Sequence, residues 1–241
     1  MRGAAEVKGT AIMKLTTTVQ VSVDGVMQGN GGLHELDRRR GFERGGWARP
    51  LFDNEAMTFV DQLYQRADAF LFGRQTYEIF AGYSGAMADS ASPIAAALNT
   101  RPKYVASTTL TNARWADTTV LSGDVAAAIG ELKAKPGGEL QVHGSGALTR
   151  WLLGNQLVDE INLLVCPVVV GQGTRLFPDA GLDMALDLVD SRAYPQGIML
   201  QVYRPAGRPQ YATDVPTPGG SFPAGGPGSL ERNPGTVSDR G

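Results

Sequence analysis

Residues 139–153 constrain the fold more than any other part of the chain. They begin as an apolar run, pass through Gly144, Ser145 and Gly146, and continue with apolar residues at helical spacing. This order predicts a strand, a glycine turn and a helix. Glycines let a ligand approach the backbone closely, and the first turn of a helix presents free N–H groups with a partial positive charge. Two interpretations are open here: a turn that only tightens packing, or a cradle for a phosphate.

Strand-like and helix-like segments alternate along the rest of the chain. Further strands are predicted at residues 14–22, 69–72, 103–107, 119–121 and 159–165. Helices are predicted after Asp53 or Asn54, at residues 93–98, and after Asp124. Two alternating segments, 186–191 and 198–203, predict a terminal antiparallel hairpin. The predicted class is therefore an α/β domain closed by antiparallel strands.

Composition divides the chain into three parts. Residues 1–12 are polar and without period, and we predict a flexible N-terminal extension. Residues 206–241 are dominated by Pro, Gly, Ser, Thr and charges, and they carry too few apolar residues to order themselves, so a disordered tail is predicted. The predicted folded domain spans residues 13–205.

Charge and cysteine content narrow the function classes. A net charge of −2 gives no indication of a nucleic-acid partner. One cysteine and two histidines make a metal site improbable, so we predict none. The chain shows no signal-peptide pattern, and no apolar run reaches the ~18 residues that cross a bilayer. We therefore expect a cytoplasmic protein without a membrane partner.

Polar donors stand at the ends of three predicted strands. One set is Gly73, Arg74 and Thr76, another begins with Ser107 and Thr108, and the third is the glycine turn described above. In an open α/β sheet, ligands bind at the carboxyl ends of the strands, so the three sets are positioned to bind a polyanion such as a dinucleotide. The Gly-x-Gly-x-x-Gly fingerprint and the P-loop lysine are both absent. For Arg74 alone, a salt bridge is the alternative interpretation.

Six segments in order resemble the dihydrofolate reductase-like superfamily. The resemblance is closest to the branch that contains the C-terminal reductase domain of the bifunctional riboflavin-biosynthesis deaminase/reductase. The matching segments are residues 22–26, 71–78, 103–110, 142–148, 159–160 and 167–177. The resemblance covers about residues 14–204. It implies a central, mostly parallel sheet flanked by helices, with a C-terminal antiparallel hairpin.

The resemblance also implies NADPH as the hydride donor and assigns residues to its binding. Gly73, Arg74 and Thr76 are expected near the adenosine 2′-phosphate and the pyrophosphate, and Ser107 and Thr108 on the adenosine side. The expected pyrophosphate cradle consists of Gly144, Ser145, Gly146, Ala147 and Leu148. The expected nicotinamide border consists of Gln20, Val26 and Gln28. Such a site acts by orienting the cofactor against the substrate.

The proton donor is less defined. Asp24, Asp53 and Glu55 are the candidate acids, since classical members use one buried carboxylate on the first helix. Each has a structural alternative: Asp24 is a turn-forming aspartate, and the other two are a helix cap or first-turn acids. Trp47, in a long glycine-rich loop, is the candidate substrate contact, since it is expected to pack over a pocket or an interface. Simple packing in the core is its alternative.

The functional hypothesis is an NADPH-dependent reductase of small molecules. Its substrate is dihydrofolate, a related pterin, or the ribosylaminopyrimidine of riboflavin synthesis. The alternatives are a non-catalytic NADPH- or nucleotide-binding module of the same fold, and a reductase of another small carbonyl compound. The family resemblance also predicts a homodimer, with the terminal strands or the Trp47 loop at the interface.

Overall fold

The computed structural model describes residues 12–86, 92–181 and 183–212. Within these residues, eight strands form one sheet in the order β4-β3-β2-β5-β1-β6-β8-β7. The strands are β1 (Lys14–Ser22), β2 (Ala67–Gly73), β3 (Lys103–Ala106), β4 (Thr118–Leu121), β5 (Glu139–His143), β6 (Glu160–Cys166), β7 (Leu186–Ala193) and β8 (Met199–Pro205). The helices are α1 (Glu35–Arg39), α2 (Asn54–Arg66), α3 (Arg74–Ala86), α4 (Pro93–Thr100), α5 (Val125–Lys133) and α6 (Gly146–Gly154), with a 3-10 turn at Arg49–Leu51.

The sheet is parallel from β4 to β6, and β8 and β7 add an antiparallel hairpin at one edge. This arrangement confirms the predicted fold class. Asp53 and Asp124 cap α2 and α5, since their carboxylates accept hydrogen bonds from the N–H groups of Ala56 and Ala127.

Helices cover both faces of the central strands. Leu71 of β2 packs in one core with α5 and α6, while Phe70 and Phe72 of the same strand pack in another core with α2, α3 and α4. Alternate residues of a strand point to opposite faces, so β2 is buried on both sides, as its unbroken apolar run predicts. Its carboxyl end therefore lies between two layers of helices.

One detail differs from the sequence-based prediction, and one residue of α2 bears on the site described below. The long loop before Pro50 contains the short helix α1. The sequence does not predict this helix, because it lies within a run of glycines and charged residues. In α2, Ala56 joins the buried face, whereas Met57 is 39% exposed because it lies at the margin of that face. Met57 consequently faces a cleft, which is described below.

The described residues up to Pro209 form one compact unit, and of a second unit only residues 210–212 are described. Most of the predicted flexible extension (1–12) and of the predicted disordered tail (206–241) lies outside the described residues, so these boundaries stay predictions. No helix among the described residues is long and apolar enough to cross a membrane.

Candidate active site

A cleft of about 840 Å³ opens at the carboxyl ends of the central parallel strands. Its lining comes from the ends of β2 and β5, from β1, from the loop that follows β1, and from α2, α3, α4 and α6. In an open sheet of this kind, the carboxyl edge is where ligands bind. Eight of the predicted cofactor residues line one side of it: Gly73, Arg74, Thr76, Gly144, Ser145, Gly146, Ala147 and Leu148.

Two helices begin side by side at this edge. α3 starts at Arg74 directly after β2, and α6 starts at Gly146 after β5, which is the neighbouring strand. The Gly73 N–H donates to the Ser145 hydroxyl oxygen at 3.1 Å and so joins the two turns. The first N–H groups of a helix have no acceptor within the helix. Two sets of backbone donors, each with a partial positive charge, therefore face the same part of the cleft.

The turn before α6 has an unusual backbone. Gly144 and Ser145 adopt left-handed conformations, with φ of 60° and 45°. The Gly144 N–H donates to the Thr18 carbonyl at 3.0 Å, which fixes the turn to β1. A Cβ on Gly144 would meet nothing within 4 Å, so its position is open to the cleft. The turn combines a fixed backbone with room for a ligand, and this geometry fits a phosphate cradle.

Arg74 lies beside this cradle but is already engaged. Its guanidinium donates to the Glu78 carboxylate at 2.8 Å and to the Thr109 hydroxyl at 2.7 Å. Both groups are exposed, so a ligand phosphate can replace these weak contacts. The Ser107 hydroxyl accepts hydrogen bonds from the N–H groups of Thr109 and Leu110 and closes a turn. Ser107 and Thr108 do not line the cleft among the described residues.

The loop after β1 supplies the opposite side of the cleft. Gln20 accepts a hydrogen bond from the Asn30 amide at 3.0 Å, and both side chains line the cleft. Gln28 donates to the carboxylate of Asp37 at 2.8 Å, while its oxygen accepts from the Thr174 N–H at 2.9 Å. These bonds fix the orientation of the Gln28 amide and tie the loop to both α1 and the segment after β6.

Val26 and Trp47 do not line this cleft. Val26 is fully buried against Phe42 and Val170. The Trp47 indole donates to the Gln28 carbonyl at 2.8 Å, and its ring packs against two buried clusters. The structure therefore supports the packing alternative for Trp47 rather than substrate contact, because its one polar atom is used to hold the loop.

The three candidate acids also lie outside the cleft lining. Asp53 caps α2 and also accepts from the Gln196 N–H, and these backbone bonds, the one from Ala56 first, lower its pKa. Glu55 is exposed and paired with Arg192 at 3.4 Å. Their positions favour the structural alternatives, since neither residue lines the cleft in the described part of the chain.

Asp24 is a turn aspartate in the structure. Its carboxylate accepts from the Ser22 hydroxyl at 2.6 Å and from the N–H groups of Val170 and Gly171 at 2.9 and 2.8 Å. These bonds, led by the one from Ser22, lower its pKa to about 2. A carboxylate held ionised in this way is a poor proton donor at neutral pH.

Replacement of Asp24 by asparagine should therefore affect stability rather than turnover. The wild-type carboxylate stabilises the fold at pH values above its unfolded pKa of ~3.9, and this contribution is lost as the pH falls through its folded pKa of about 2. The melting temperature of Asp24→Asn should be lower than wild type at neutral pH, and the difference should shrink toward pH 2. A selective loss of kcat with an unchanged melting temperature would restore Asp24 as a catalytic acid.

Sequence reasoning missed several residues of the cleft. Asp37, which is 7% exposed, is the single acidic residue among the described lining residues. Tyr64 and His143 stack at 3.9 Å and form part of its inner surface. Asn30 and Asp37 belong to the long glycine-rich loop. The length of this loop is typical of a functional segment, and it is the sequence feature that could have indicated these two residues. For Tyr64, helical periodicity indicates only a buried position.

Comparisons with known proteins agree with this fold. The protein YyaP of Bacillus subtilis strain 168, itself uncharacterized, is 27% identical over 192 residues, which cover 79% of this chain and 94% of that protein. A solved structure of a protein assigned to riboflavin biosynthesis in Shewanella sp. PV-4 superposes with a TM-score of 0.62 at 21% identity, covering 80% of this chain and 99% of the other. A pyrimidine reductase-like protein from Corynebacterium diphtheriae gives 0.54 at 14% identity, with 80% and 92% covered.

The family comparison covers most of the folded unit. The model of the RibD C-terminal domain matches residues 13–200. This span includes the strands β1 to β6, both helix N-termini at the cleft, and the loop after β1. The chain belongs to the RibD C-terminal domain family.

Proposed function

We propose that this protein is an NADPH-dependent reductase that transfers a hydride to a pterin or folate, or to a ribosylaminopyrimidine of riboflavin biosynthesis. One observation carries the proposal: the N-termini of α3 and α6 open into the same cleft, joined by the hydrogen bond from Gly73 to Ser145. Two adjacent helix starts suit a ligand with more than one phosphate group. Membership of the RibD C-terminal domain family and the similar structure of the pyrimidine reductase-like protein also support a reductase function.

The residues present fit the cofactor. The N–H groups of Gly146, Ala147 and Leu148 would hold the pyrophosphate, and the open position at Gly144 leaves room for it. Arg74 would bind the 2′-phosphate at the exposed end of the cleft. NADPH would supply the hydride when bound. The protein contributes orientation: Gln20 and the loop at Gln28 would border the nicotinamide and hold it in position for transfer.

The acid closest to the substrate in this proposal is Asp37. Its carboxylate accepts from the Gln28 amide at 2.8 Å and from the His34 N–H at 3.0 Å. In both contacts the carboxylate acts as a hydrogen-bond acceptor, and Asp37 lines the cleft. Asp37 is therefore suited to accept a hydrogen bond from a ring N–H and to orient the substrate.

A two-stage experiment tests the proposal. NADPH binding is first measured by the change in its fluorescence, and the loss of NADPH absorbance is then followed with dihydrofolate, with a pterin and with the ribosylaminopyrimidine. We expect tight NADPH binding and turnover of at least one substrate. Absence of NADPH binding would contradict the proposal as a whole.

A second candidate is a non-catalytic module that binds NADPH or another nucleotide. The observation that favours it is the structural role of Asp24, Asp53 and Glu55, which leaves none of the three predicted acids in the cleft. NADPH binding without turnover of any of these compounds would select this function. The homodimer and the cytoplasmic location stay predictions, and light scattering in solution would test the former.

A further inference from the structure

His143 is the last residue of β5 and lines the cleft directly before the glycine turn. Resting on the proposed function, we infer that His143 positions the nicotinamide: its Nδ1 accepts a hydrogen bond from the carboxamide of the cofactor. Three features of the residue support this role. They are the tautomer of its imidazole, the contacts that hold the ring in place, and its position in the sheet.

The tautomer of the imidazole is determined by Gln141. The Gln141 amide nitrogen donates to the Leu63 carbonyl at 2.8 Å and to the Glu139 carboxylate at 2.6 Å. The amide oxygen is therefore the atom that faces His143 Nε2, at 2.9 Å. Because an oxygen acceptor requires a donor, Nε2 carries the proton. Burial lowers the pKa of His143 to about 3, so the imidazole is neutral at physiological pH and Nδ1 keeps its lone pair.

Nδ1 is an acceptor that faces the cleft. Among the residues that the structure describes, no group donates a hydrogen bond to it. The unpartnered side-chain atoms that are closed off from solvent in the same part of the chain are the hydroxyls of Thr16, Thr17 and Tyr194. Nδ1 is therefore not closed off, and the space that His143 borders is the cleft. A polar atom in this position is suited to a donor from a bound molecule.

Aromatic neighbours hold the plane of the imidazole. Tyr64 of α2 stacks on the ring with a centroid distance of 3.9 Å and an interplanar angle of 20°. Phe70 of β2 lies 5.8 Å away at an angle of 53°. With Nε2 bonded to Gln141, the ring cannot turn without losing these contacts. An acceptor that is held in one orientation before binding can orient a ligand at little cost in entropy.

The position of His143 in the sheet favours the nicotinamide as the donor. Gly144, the next residue, belongs to the proposed pyrophosphate cradle, and its N–H donates to the Thr18 carbonyl at 3.0 Å. Thr18 is also the register partner of His143. Gln20, which is proposed to border the nicotinamide, lies two residues further along β1 on the same face. His143 is therefore close to both parts of the proposed cofactor site.

The carboxamide is the group of the nicotinamide ring that carries N–H donors, because the ring nitrogen is bonded to the ribose. An acceptor for the carboxamide would fix which face of the ring is turned to the substrate. His143 would thus contribute to the orientation of the hydride donor, without taking part in proton transfer.

A pair of cofactors isolates this hydrogen bond. In the acetylpyridine analogue of NADPH, a methyl ketone replaces the carboxamide, so the ring has no N–H group. Both reduced cofactors are titrated by calorimetry into the full chain, beginning with NADPH. The wild-type protein should bind NADPH ~10-fold more tightly than the analogue, because the analogue leaves Nδ1 without a donor. Absence of NADPH binding would contradict the proposed function, whereas equal affinities for the two cofactors would overturn the role of His143 alone.

Two replacements of His143 separate the ligand contact from the structural bond. His143→Gln places an amide nitrogen near the position of Nε2, so it keeps the donor to Gln141 but lacks the acceptor at Nδ1. His143→Asn places an amide oxygen near Nδ1, so it keeps the acceptor but lacks the donor to Gln141. We expect His143→Gln to bind the two cofactors within about twofold of each other, since neither meets the acceptor. His143→Asn should keep the preference for NADPH but have the lower melting temperature. A preference that survives in His143→Gln, or that falls in step with the melting temperature, would show a purely structural residue.

NMR of the ring nitrogens tests the tautomer without replacing His143. The chain has two histidines, His34 and His143, and the His34→Gln variant assigns their signals. We expect the proton of His143 on Nε2 and a shift of the Nδ1 signal when NADPH binds. A proton on Nδ1, or an Nδ1 signal that NADPH leaves unchanged, would overturn the inference even if neither variant of His143 folds.

Discussion

Replacement of Gly144 by alanine should weaken NADPH binding by ~100-fold, or about 2.8 kcal/mol. Gly144 has a φ of 60°, and the space beyond its missing Cβ is open to the cleft. A methyl group would occupy the position proposed for the pyrophosphate and would also shift the N–H groups that follow it. Titration of NADPH fluorescence measures the effect, and circular dichroism confirms that the variant is folded.

The control must separate backbone strain from the loss of the ligand site. Gly123 precedes α5, has a φ of 76°, and likewise has nothing within 4 Å of a built Cβ. Alanine in the left-handed region costs ~1–2 kcal/mol at either position. Gly144→Ala and Gly123→Ala should therefore lose similar thermal stability, while Gly123→Ala keeps wild-type affinity. If the two variants bound NADPH with equal affinity, the turn at Gly144 would not be part of the NADPH site.

Replacement of Arg74 by alanine should lower NADPH affinity by ~10–100-fold, since a hydrogen bond between a cation and a phosphate contributes about 1.5–3 kcal/mol. NADH lacks the 2′-phosphate, so its affinity should change little. The ratio of the two dissociation constants is the decisive measurement, because a general defect would weaken both cofactors alike. A parallel fall for NADPH and NADH would show that Arg74 does not bind the 2′-phosphate.

Arg66 provides a matched control for Arg74. Its side chain is 50% exposed, compared with 47% for Arg74, and it too forms one ion pair, with Glu139 at 3.3 Å. Arg66 precedes β2, at the opposite edge of the sheet. Arg66→Ala should leave both cofactor affinities unchanged. Glu78→Gln is informative in the other direction, because release of Arg74 from its carboxylate should strengthen NADPH binding.

Most of the fold could be predicted because its signals are local. The β-branched run of β1, the unbroken apolar run of β2, and the caps at Asp53 and Asp124 each require only neighbouring residues to be understood. The helix α1 could not be predicted in the same way. It has five residues among glycines and charges, and the Gln28 hydrogen bond to Asp37 that helps to hold it in place comes from a distant part of the loop.

The candidate site was predictable on one side only. In the sequence, Gly73 marks the end of one strand, and Gly144 and Ser145 mark the end of another. Because these two strands, β2 and β5, are neighbours in the sheet, their turns lie side by side. Asp37 and Tyr64 reach the cleft through tertiary packing, and no local pattern distinguishes them from other polar or buried residues. For Asp24 the sequence left a candidate acid and a turn-forming aspartate open, and only the structure shows that its carboxylate holds residues 170–171.

The position of β1 has a consequence for the way the chain reaches its native state. This first strand lies between β5 and β6, and its contacts with Asp159 and Asn162 span 144 residues. Such non-local parallel pairing folds slowly, because a long loop must close before any contact compensates for the lost entropy. On the ribosome, β1 emerges first but has no neighbours until β5 and β6 have been synthesised. Its edges stay unpaired during that interval, so the nascent chain is most exposed to misassociation before the middle of the sheet is complete.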